Sequence, residues 1–274
     1  MTSTPPARLS RRNLVSAALA LGAFTVLPSA TASAARVSSG RGALGGRDGS
    51  TVPQITDCAG WGAREASEPV VVLGSRPERI IVHHTATANV TDYSRERAHR
   101  LARAVQTYHM DMQGWIDTGQ HFTISRGAFT MEGRHGSLAA LTSGNRMVRA
   151  AHCVGQNSAA IGIENEGTYT AQEPPAAQFS ALADLCAHVC RQYDVPTSEI
   201  YGHRDFNSTA CPGDKLYSML PKLRDAVGRR LGETQPVPLP RWPVGLPPGW
   251  APDPAALAGR EYLPEGLLDP LRAR

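Results

Sequence analysis

The sequence predicts a mixed α/β fold, and three observations support this. Two short runs rich in Ile and Val, Arg79 to His83 and Ala160 to Glu164, have the length of buried strands. Two later segments repeat apolar residues at helical spacing. A pair of short strand-like runs around a Gly-containing tetrapeptide has the pattern of a hairpin. Strands and amphipathic helices therefore alternate along the middle of the chain.

The remaining elements follow in chain order. The hairpin is predicted from Gln120 to Ile124 and from Phe129 to Glu132, with Gly127 supplying the turn. A third helical region begins near Asp214, and Pro221 divides it because an interior proline removes a hydrogen bond and clashes with the preceding turn. The two amphipathic helices are marked by Ala98, Leu101, Ala102, Val105 and Tyr108, and by Phe179, Leu182, Leu185 and Val189.

The first 54 residues have the pattern of an export signal and a linker. Arg11 and Arg12 precede an apolar run from Leu14 to Leu27 and a small-residue cleavage site, so residues 1–34 are predicted to be a twin-arginine signal peptide. The apolar run is too short for a permanent membrane helix. Residues 35–54 are rich in Gly, Ser and Arg and are predicted to be a flexible linker. We therefore expect a secreted protein without a stable membrane anchor.

The last segment, residues 232–274, differs from the middle in its proline content. It holds ten of the chain's 21 prolines, which favours extended chain over helix or sheet. Its aromatic residues are candidate anchors to a cell wall, and a tail that lies loosely on the domain is the alternative. Residues 55–231 remain as the candidate catalytic domain.

The charge of the chain argues against a nucleic-acid partner. The formal net charge is +4, and residues 1–34 contain three arginines and no acid, so their removal leaves 25 basic and 24 acidic residues, or +1. The remaining arginines are scattered and form no basic stripe.

Histidines and a cysteine form the candidate reactive group. His83, His152 and His203 lie at the end of strand-like runs or in loops bounded by Gly, where rigid scaffolds present reactive groups. His203 and Cys211 are eight residues apart, and His83 would complete three zinc ligands with one open position, as in catalytic zinc sites. Cys211 paired with another cysteine is the alternative, and the spacing alone does not decide. Solvated or hydrogen-bonded roles are expected for His99, His109, His135 and His188.

Six blocks of sequence, in order along residues 55–231, carry a family resemblance. They are "WGARE" (61–65), "RIIVHHTAT" (79–87), "GWIDTGQHF" (114–122), "MEGRH" (131–135), "AAHCVGQNSAAIGIENEG" (150–167) and "GHRDFNSTACPG" (202–213). Together they resemble the zinc-dependent N-acetylmuramoyl-L-alanine amidases and the related peptidoglycan-recognition proteins.

The resemblance implies a fold, a cofactor and a partner. The fold would be a central, mostly parallel sheet of five or six strands flanked by helices, with a zinc groove on one face. Zn²⁺ would be held by His83, His203 and Cys211, with His84 beside the site. The partner would be peptidoglycan or a soluble muropeptide, bound by a monomer, and the reaction would be hydrolysis of the bond between N-acetylmuramic acid and L-alanine.

The resemblance also suggests catalytic residues. Many family members have a tyrosine where this chain has Gln120, which exchanges no proton near neutral pH. Glu164 matches the position of the catalytic glutamate in another branch of the family, so we predict that it accepts and returns a proton. A structural carboxylate bonded to backbone or to His152 is the alternative. Thr209 is predicted to donate to a developing oxyanion, or else to bond its own loop.

Substrate contacts are predicted from the same blocks. The candidates are His84, Gly114, Trp115, Arg134, His152 and Asn157. A Gly-Trp pair resembles members that accept a diaminopimelate residue, and Arg134 would meet its extra carboxylate. A core position is the alternative for Trp115.

The other four cysteines form an even set, and export permits disulfides. Cys186 and Cys190 lie one helical turn apart, so each is expected to pair elsewhere, with Cys58 and Cys153 as the available partners. Free buried thiols are the alternative. The competing function is a recognition protein that binds stem peptides without cutting them, and such relatives characteristically lack the cysteine ligand that Cys211 supplies here.

Overall fold

The computed structural model describes residues 52–234. The predicted signal peptide, nearly all of the linker and nearly all of the Pro-rich tail lie outside these residues. The described part contains eight strands: β1 (Ile55–Thr56), β2 (Val72–Leu73), β3 (Arg79–His84), β4 (Phe122–Ile124), β5 (Thr130–Glu132), β6 (Met147–Val148), β7 (Ala160–Asn165) and β8 (Ile200–Gly202). It also contains six α-helices: α1 (Cys58–Trp61), α2 (Arg95–Thr107), α3 (Ser137–Ser143), α4 (Ala176–Tyr193), α5 (Asp214–Ser218) and α6 (Leu220–Leu231).

Six of the strands form one central sheet in the order β1-β5-β4-β7-β3-β8. Four of its five pairings are parallel, and the β4–β5 hairpin is antiparallel. β2 and β6 form a separate antiparallel pair. The predicted mixed α/β fold with a mostly parallel sheet is therefore confirmed.

One face of the sheet is packed against helices. Successive side chains of a strand point to opposite faces, so β3 sends Ile80 and Val82 to one face and Ile81 and His83 to the other. Ile80 and Val82 share a buried cluster with Ile161 and Ile163 of β7 and with apolar residues of α4 and α6. This cluster is the main hydrophobic core.

The opposite face is covered only in part by the elements that pack against it. Ala98 and Ala102 of α2 pack against Met131 of β5, and Ile81 is covered by Cys153 and the partly buried Phe206. The C-terminal ends of β3 and β7 lie between these two patches and form the floor of a groove.

The hairpin turn contains Gly127, as predicted. The residue with a left-handed backbone is Ala128, at φ 66°, and not Gly127. Gly127 is required for another reason: a Cβ there would lie 2.1 Å from the carbonyl oxygen of Tyr93. The glycine therefore permits close approach of two backbone segments.

The third helical region divides as predicted. α5 ends at Ser218 and α6 begins at Leu220, so that Pro221 lies in the first turn of α6, where its missing N–H has no helical partner to lose.

The expected disulfides are not formed. Cys58, Cys153, Cys186 and Cys190 are free, buried thiols. The sheet separates them: Cys186 and Cys190 belong to α4 and to the main core, whereas Cys58 and Cys153 belong to two clusters on the opposite face. Burial raises the thiol pKa of Cys153 and of Cys190 to about 12, so both remain protonated at neutral pH.

Within residues 52–234, no helix combines the length and the apolar character needed to cross a membrane.

Candidate metal centre

Three neighbouring strands supply the floor of the groove. His83 of β3 is paired with Glu164 of β7, which is paired in turn with Thr123 of β4. Because residues paired across parallel strands point to the same face, these three side chains form one row across the sheet. The apolar run of β3 ends at this row, which explains why two histidines follow three apolar residues.

Three donor side chains converge at one end of the row. His83, His203 and Cys211 place one potential ligand atom each within 4.8 Å of one another. Cys211 Sγ lies 3.6 Å from His83 Nδ1, and the rings of His83 and His203 have centroids 4.5 Å apart. His203 reaches this position because β8, which ends just before it, pairs with β3.

The outer nitrogen of each imidazole is held by a second residue. His83 Nε2 lies 3.0 Å from His152 Nδ1, and His152 Nε2 lies 3.3 Å from the carbonyl oxygen of Ala160. A proton on each Nε2 satisfies both contacts. His203 Nε2 similarly lies 3.1 Å from Asn207 Oδ1. Such contacts fix the tautomer and the ring orientation of a metal-binding histidine.

The sulfur is fixed by backbone contacts. The N–H of His84 donates to Cys211 Sγ at 3.4 Å. The N–H of Cys211 donates to Thr209 Oγ1 at 3.0 Å, which holds the loop that carries the cysteine. Thr209 thus makes the loop contact that was one of its two predicted roles, and its donation to an oxyanion stays a prediction.

The electrostatics of the cluster favour metal binding. Burial, reinforced by the neighbouring His203, holds the pKa of His83 well below its usual 6.5. Burial lowers the pKa of His203 to about 4, and the hydrogen bond that His203 Nε2 donates to Asn207 Oδ1 opposes this shift. Both rings are thus neutral at pH 7, which is the form that ligates a metal. Two neutral imidazoles and one cysteine sulfur are a donor set that zinc accepts, so these residues fit the cofactor expected from the sequence.

The groove beside the cluster has a volume of about 200 Å³. Its walls include His83, His84, Thr85, Val105, Tyr108, His109, Gln113, Trp115, Gly119, Gln120, Ala151, His152, Glu164, His203 and Cys211. One wall is aromatic: Trp115 stacks on His109 with centroids 4.6 Å apart and an interplanar angle of 27°. His109 Nδ1 also accepts the N–H of Gly119 at 3.1 Å, which fixes the imidazole under the indole.

Asp117 organises the segment that carries this wall. Its carboxylate is fully buried and accepts from Gln106 Nε2, from the N–H of Thr118, and from both the N–H and Nδ1 of His135. The contacts join α2, the segment before β4 and the segment after β5. Asp117 does not line the groove, but it positions residues that do.

The structure brings together some of the predicted substrate residues and not others. His84, Trp115 and His152 line the groove. Gly114 is exposed and lies outside it. The guanidinium of Arg134 is buried and donates to the carbonyl oxygens of Thr118 and Arg149, so it is placed as a brace between loops.

Asn157 also lies behind the groove wall. Its Oδ1 accepts the N–H groups of His152 and Cys153, at 2.8 and 2.9 Å, and so shapes the loop that presents His152.

Eight of the fifteen groove residues were not among the predicted site residues, and two of them, His109 and Gln120, had been considered and given other roles. His109 was assigned a hydrogen-bonded role, which it has, but it also supports Trp115 in the wall. Gln120 was set aside because it exchanges no proton, yet it lines the groove. Its position in the block "GWIDTGQHF", directly after the groove residue Gly119 and five residues after Trp115, was the available signal.

Comparison with known proteins gives consistent results. A family model described as N-acetylmuramoyl-L-alanine amidase matches residues 73–214. Peptidoglycan recognition protein 1 of Bos taurus is 34% identical over 161 residues, which cover 58% of this chain and 78% of the relative. N-acetylmuramoyl-L-alanine amidase of Homo sapiens is 31% identical over 172 residues, covering 61% of this chain and 28% of that protein.

Among solved structures, the chain is similar to the peptidoglycan recognition proteins LCa and LCx, whose ectodomain complex was crystallised with tracheal cytotoxin. The identity is 30%, the TM-score is 0.54, and the alignment covers 61% of this chain and 95% of that chain.

Proposed function

Because the chain belongs to the N-acetylmuramoyl-L-alanine amidase family, we propose that it hydrolyses the amide bond between N-acetylmuramic acid and L-alanine in peptidoglycan, with zinc as cofactor. The observation that carries the proposal is the complete donor set of His83, His203 and Cys211 at one end of an open groove. The relatives carry both amidase and recognition-protein names. Family membership alone is therefore compatible with hydrolysis and with recognition.

The donor set favours hydrolysis over recognition alone. A protein that only bound stem peptides would need a groove but no three-ligand metal site with an open position. Here Cys211 is present, its backbone is held by Thr209, and its sulfur accepts the N–H of His84. These contacts hold the sulfur in a fixed position beside the two histidines, which supports a catalytic role.

A zinc ion held by these three residues supplies Lewis acidity, which polarises a carbonyl group and lowers the pKa of water. The chain's own residues supply the remaining requirements. His152 and Asn207 hold the outer nitrogens of His83 and His203, so the donor atoms stay oriented while the groove is open to substrate.

Glu164 is the proposed general base and acid. It is paired with His83 across β7 and β3 and lines the groove, so its carboxylate lies beside the donor cluster. In the reaction it takes a proton from the attacking water and then returns that proton to the L-alanine nitrogen as the C–N bond breaks. One carboxylate thus carries out both proton transfers.

The groove wall supplies substrate contacts. Trp115, stacked on His109, offers a rigid apolar surface beside the reacting bond. We further propose that the substrate is peptidoglycan or a soluble muropeptide, and that the protein acts outside the cytoplasm, where residues 1–34 would direct it.

Product analysis tests this function. Purified protein incubated with peptidoglycan should release stem peptides with an N-terminal alanine, detected by mass spectrometry. The Glu164→Gln variant should lose roughly 10²- to 10⁴-fold in kcat, the range for a general acid–base residue, while its zinc content is unchanged. Glu68→Gln, at an exposed position, is the matched control and should keep full activity. A Glu164→Gln variant with the wild-type rate would refute the assigned role.

A further inference from the structure

Gln120 has a buried polar atom that the described residues leave without a partner. The side chain is 1% exposed and lines the groove. Its Nε2 donates to Thr123 Oγ1 at 2.8 Å, whereas its Oε1 has no hydrogen-bond partner within residues 52–234. A buried unsatisfied oxygen costs free energy, and such groups in folded proteins require an explanation.

Other buried carboxamides of this protein show what a structural role looks like. Gln178 donates from Nε2 to the carbonyl oxygens of Ile124 and Glu166, and its Oε1 accepts from the Tyr169 hydroxyl. Both ends of that amide are satisfied inside the protein. In Gln120 only the amide nitrogen has a hydrogen-bond partner. The oxygen has none within the described residues, and the residue lines the groove.

The position of Gln120 relates this oxygen to the reacting groups. Thr123, which anchors Nε2, stands in the row with Glu164 and His83. Neighbouring strands are about 4.8 Å apart, so the anchor lies one strand beyond Glu164 on the side away from the donor cluster. A ligand that extends from the cluster past Glu164 therefore approaches the strand to which the carboxamide is anchored.

We infer that Gln120 Oε1 accepts a hydrogen bond from an amide N–H of the bound substrate and is a substrate-binding residue of the groove. A carboxamide oxygen is purely an acceptor, so its partner is a donor. Muramoyl peptides carry such donors in both the acetamido group and the peptide. The identity of the ligand rests on the proposed function, whereas the requirement for an N–H donor rests on Gln120 itself.

The inference predicts a clear effect on binding and a small effect on stability. Gln120→Met keeps the length of the side chain but removes the acceptor, so affinity for the ligand should fall roughly 10-fold, as expected for one lost hydrogen bond. The free protein should lose less stability than it would for a fully bonded glutamine, because only the hydrogen bond from Nε2 to Thr123 Oγ1 is lost and the oxygen that is removed has no partner. A structural glutamine would show the reverse.

Gln178→Met is the matched control. It removes a buried carboxamide of the same size from α4, which packs on the other face of the sheet. This variant should lower the melting temperature and leave ligand affinity unchanged.

The experiment combines calorimetry and kinetics with a soluble N-acetylmuramoyl peptide as the probe. Affinity is measured in a Glu164→Gln background, in which turnover is slow, with and without Gln120→Met or Gln178→Met. KM and kcat are measured for the same substitutions in the otherwise unchanged chain, and melting temperatures are recorded for all variants.

The outcomes separate this inference from the proposed function. If the chain cleaves the probe and Gln120→Met binds it as tightly as the parent, the inference is wrong and the amidase assignment stands. If the chain binds the probe without cleaving it, the amidase assignment is wrong, and a 10-fold loss for Gln120→Met still supports the inference. If the unsubstituted chain neither binds nor cleaves the probe, both are overturned.

Discussion

At the scale of single residues, His83 shows how closely the candidate site depends on residues around it. Its Nδ1 faces Cys211, its Nε2 faces His152, and its carbonyl oxygen accepts from Asn165 Nδ2 at 2.9 Å. Every hydrogen-bonding group of this residue except its N–H is thus directed by a side chain from another segment. The orientation of a donor atom is therefore set by contacts beyond the donors themselves.

Gly162 tests this dependence. A Cβ at this position would lie 2.4 to 2.7 Å from ring atoms of His152, so Gly162→Ala must displace the imidazole that supports His83. We expect zinc affinity to fall roughly 10- to 100-fold, the usual cost of losing an outer contact of a ligand. Competition with a chromophoric chelator measures this. Gly74→Ala, with no atom near the added Cβ, is the control, and equal affinities for both variants would contradict the argument.

A buried histidine behind the site predicts the pH dependence of stability. Burial lowers the pKa of His121 to about 4, although its contact with Val148 opposes the shift. Between pH 6.5 and 4 the unfolded chain binds a proton at this residue and the folded chain does not, so stability is lost as the pH falls through this window. The contribution of one such histidine is about 1.4 kcal/mol per pH unit.

His121→Gln isolates this contribution. Glutamine retains a donor for the carbonyl oxygen of Val148 but cannot be protonated. Urea unfolding at several values between pH 4.5 and 7 should show a shallower decline for the variant than for the parent. Parallel curves for the two proteins would show that His121 is not the titrating group.

At the scale of elements, the strands were the most predictable part of the molecule. β3 and β7 each combine an apolar run with a polar end, and each was predicted within one residue of its observed bounds. Their pairing places His83 beside Glu164. The hairpin was also predicted, but its left-handed residue was not, because Ala128 adopts that conformation under tertiary constraint while the glycine serves a close contact.

Contacts between loops were not predictable from the sequence. The arrangement of Asp117, Gln106 and His135 depends on three segments meeting in space, and no local pattern marks it. The same is true of the cysteines: Cys153 and Cys186 could have been disulfide partners by composition, but they lie on opposite faces of the sheet. Local periodicity predicts helices and strands, whereas contacts between distant loops and the placement of the cysteines depend on how the whole chain packs.

A buried ion pair docks α2 onto the central sheet. Arg97 Nε of α2 lies 2.8 Å from Glu166 Oε1, just after β7, and both side chains are buried. Because Arg97→Met leaves the carboxylate without its partner, it should cost about 3 to 5 kcal/mol of unfolding free energy. The double variant Arg97→Met/Glu166→Gln should cost less than the single one, since the uncompensated charge is gone.

An exposed pair on the same helix is the control for this measurement. Arg100 pairs with Asp92 at 3.1 Å, with side chains 39% and 48% exposed. Arg100→Met should change the unfolding free energy by less than about 1 kcal/mol. Chemical unfolding followed by circular dichroism compares the variants, and similar losses for Arg97→Met and Arg100→Met would refute the assignment.

At the scale of the whole molecule, the donor cluster joins distant parts of the chain. His83 and Cys211 are 128 residues apart in sequence and meet only because β3 lies between β7 and β8 in the sheet. These donors were predicted from motif blocks because they lie at or near strand ends, where sequence patterns are strong. The substrate contacts stay predictions, and two of the predicted residues, Arg134 and Asn157, bond to loops and are absent from the groove lining.

A cluster assembled by the fold also couples metal binding to folding. The three donors are close together only in the folded chain, so a metal that binds them stabilises the folded state by mass action.

X-ray absorption at the zinc edge on the purified, metal-loaded chain tests the central claim most directly. The account predicts one zinc per chain with one sulfur neighbour at about 2.3 Å and two nitrogen neighbours at about 2.0 to 2.1 Å, and loss of the sulfur signal in Cys211→Ser. A chain that retains no zinc, or a zinc spectrum with no sulfur neighbour, would contradict it.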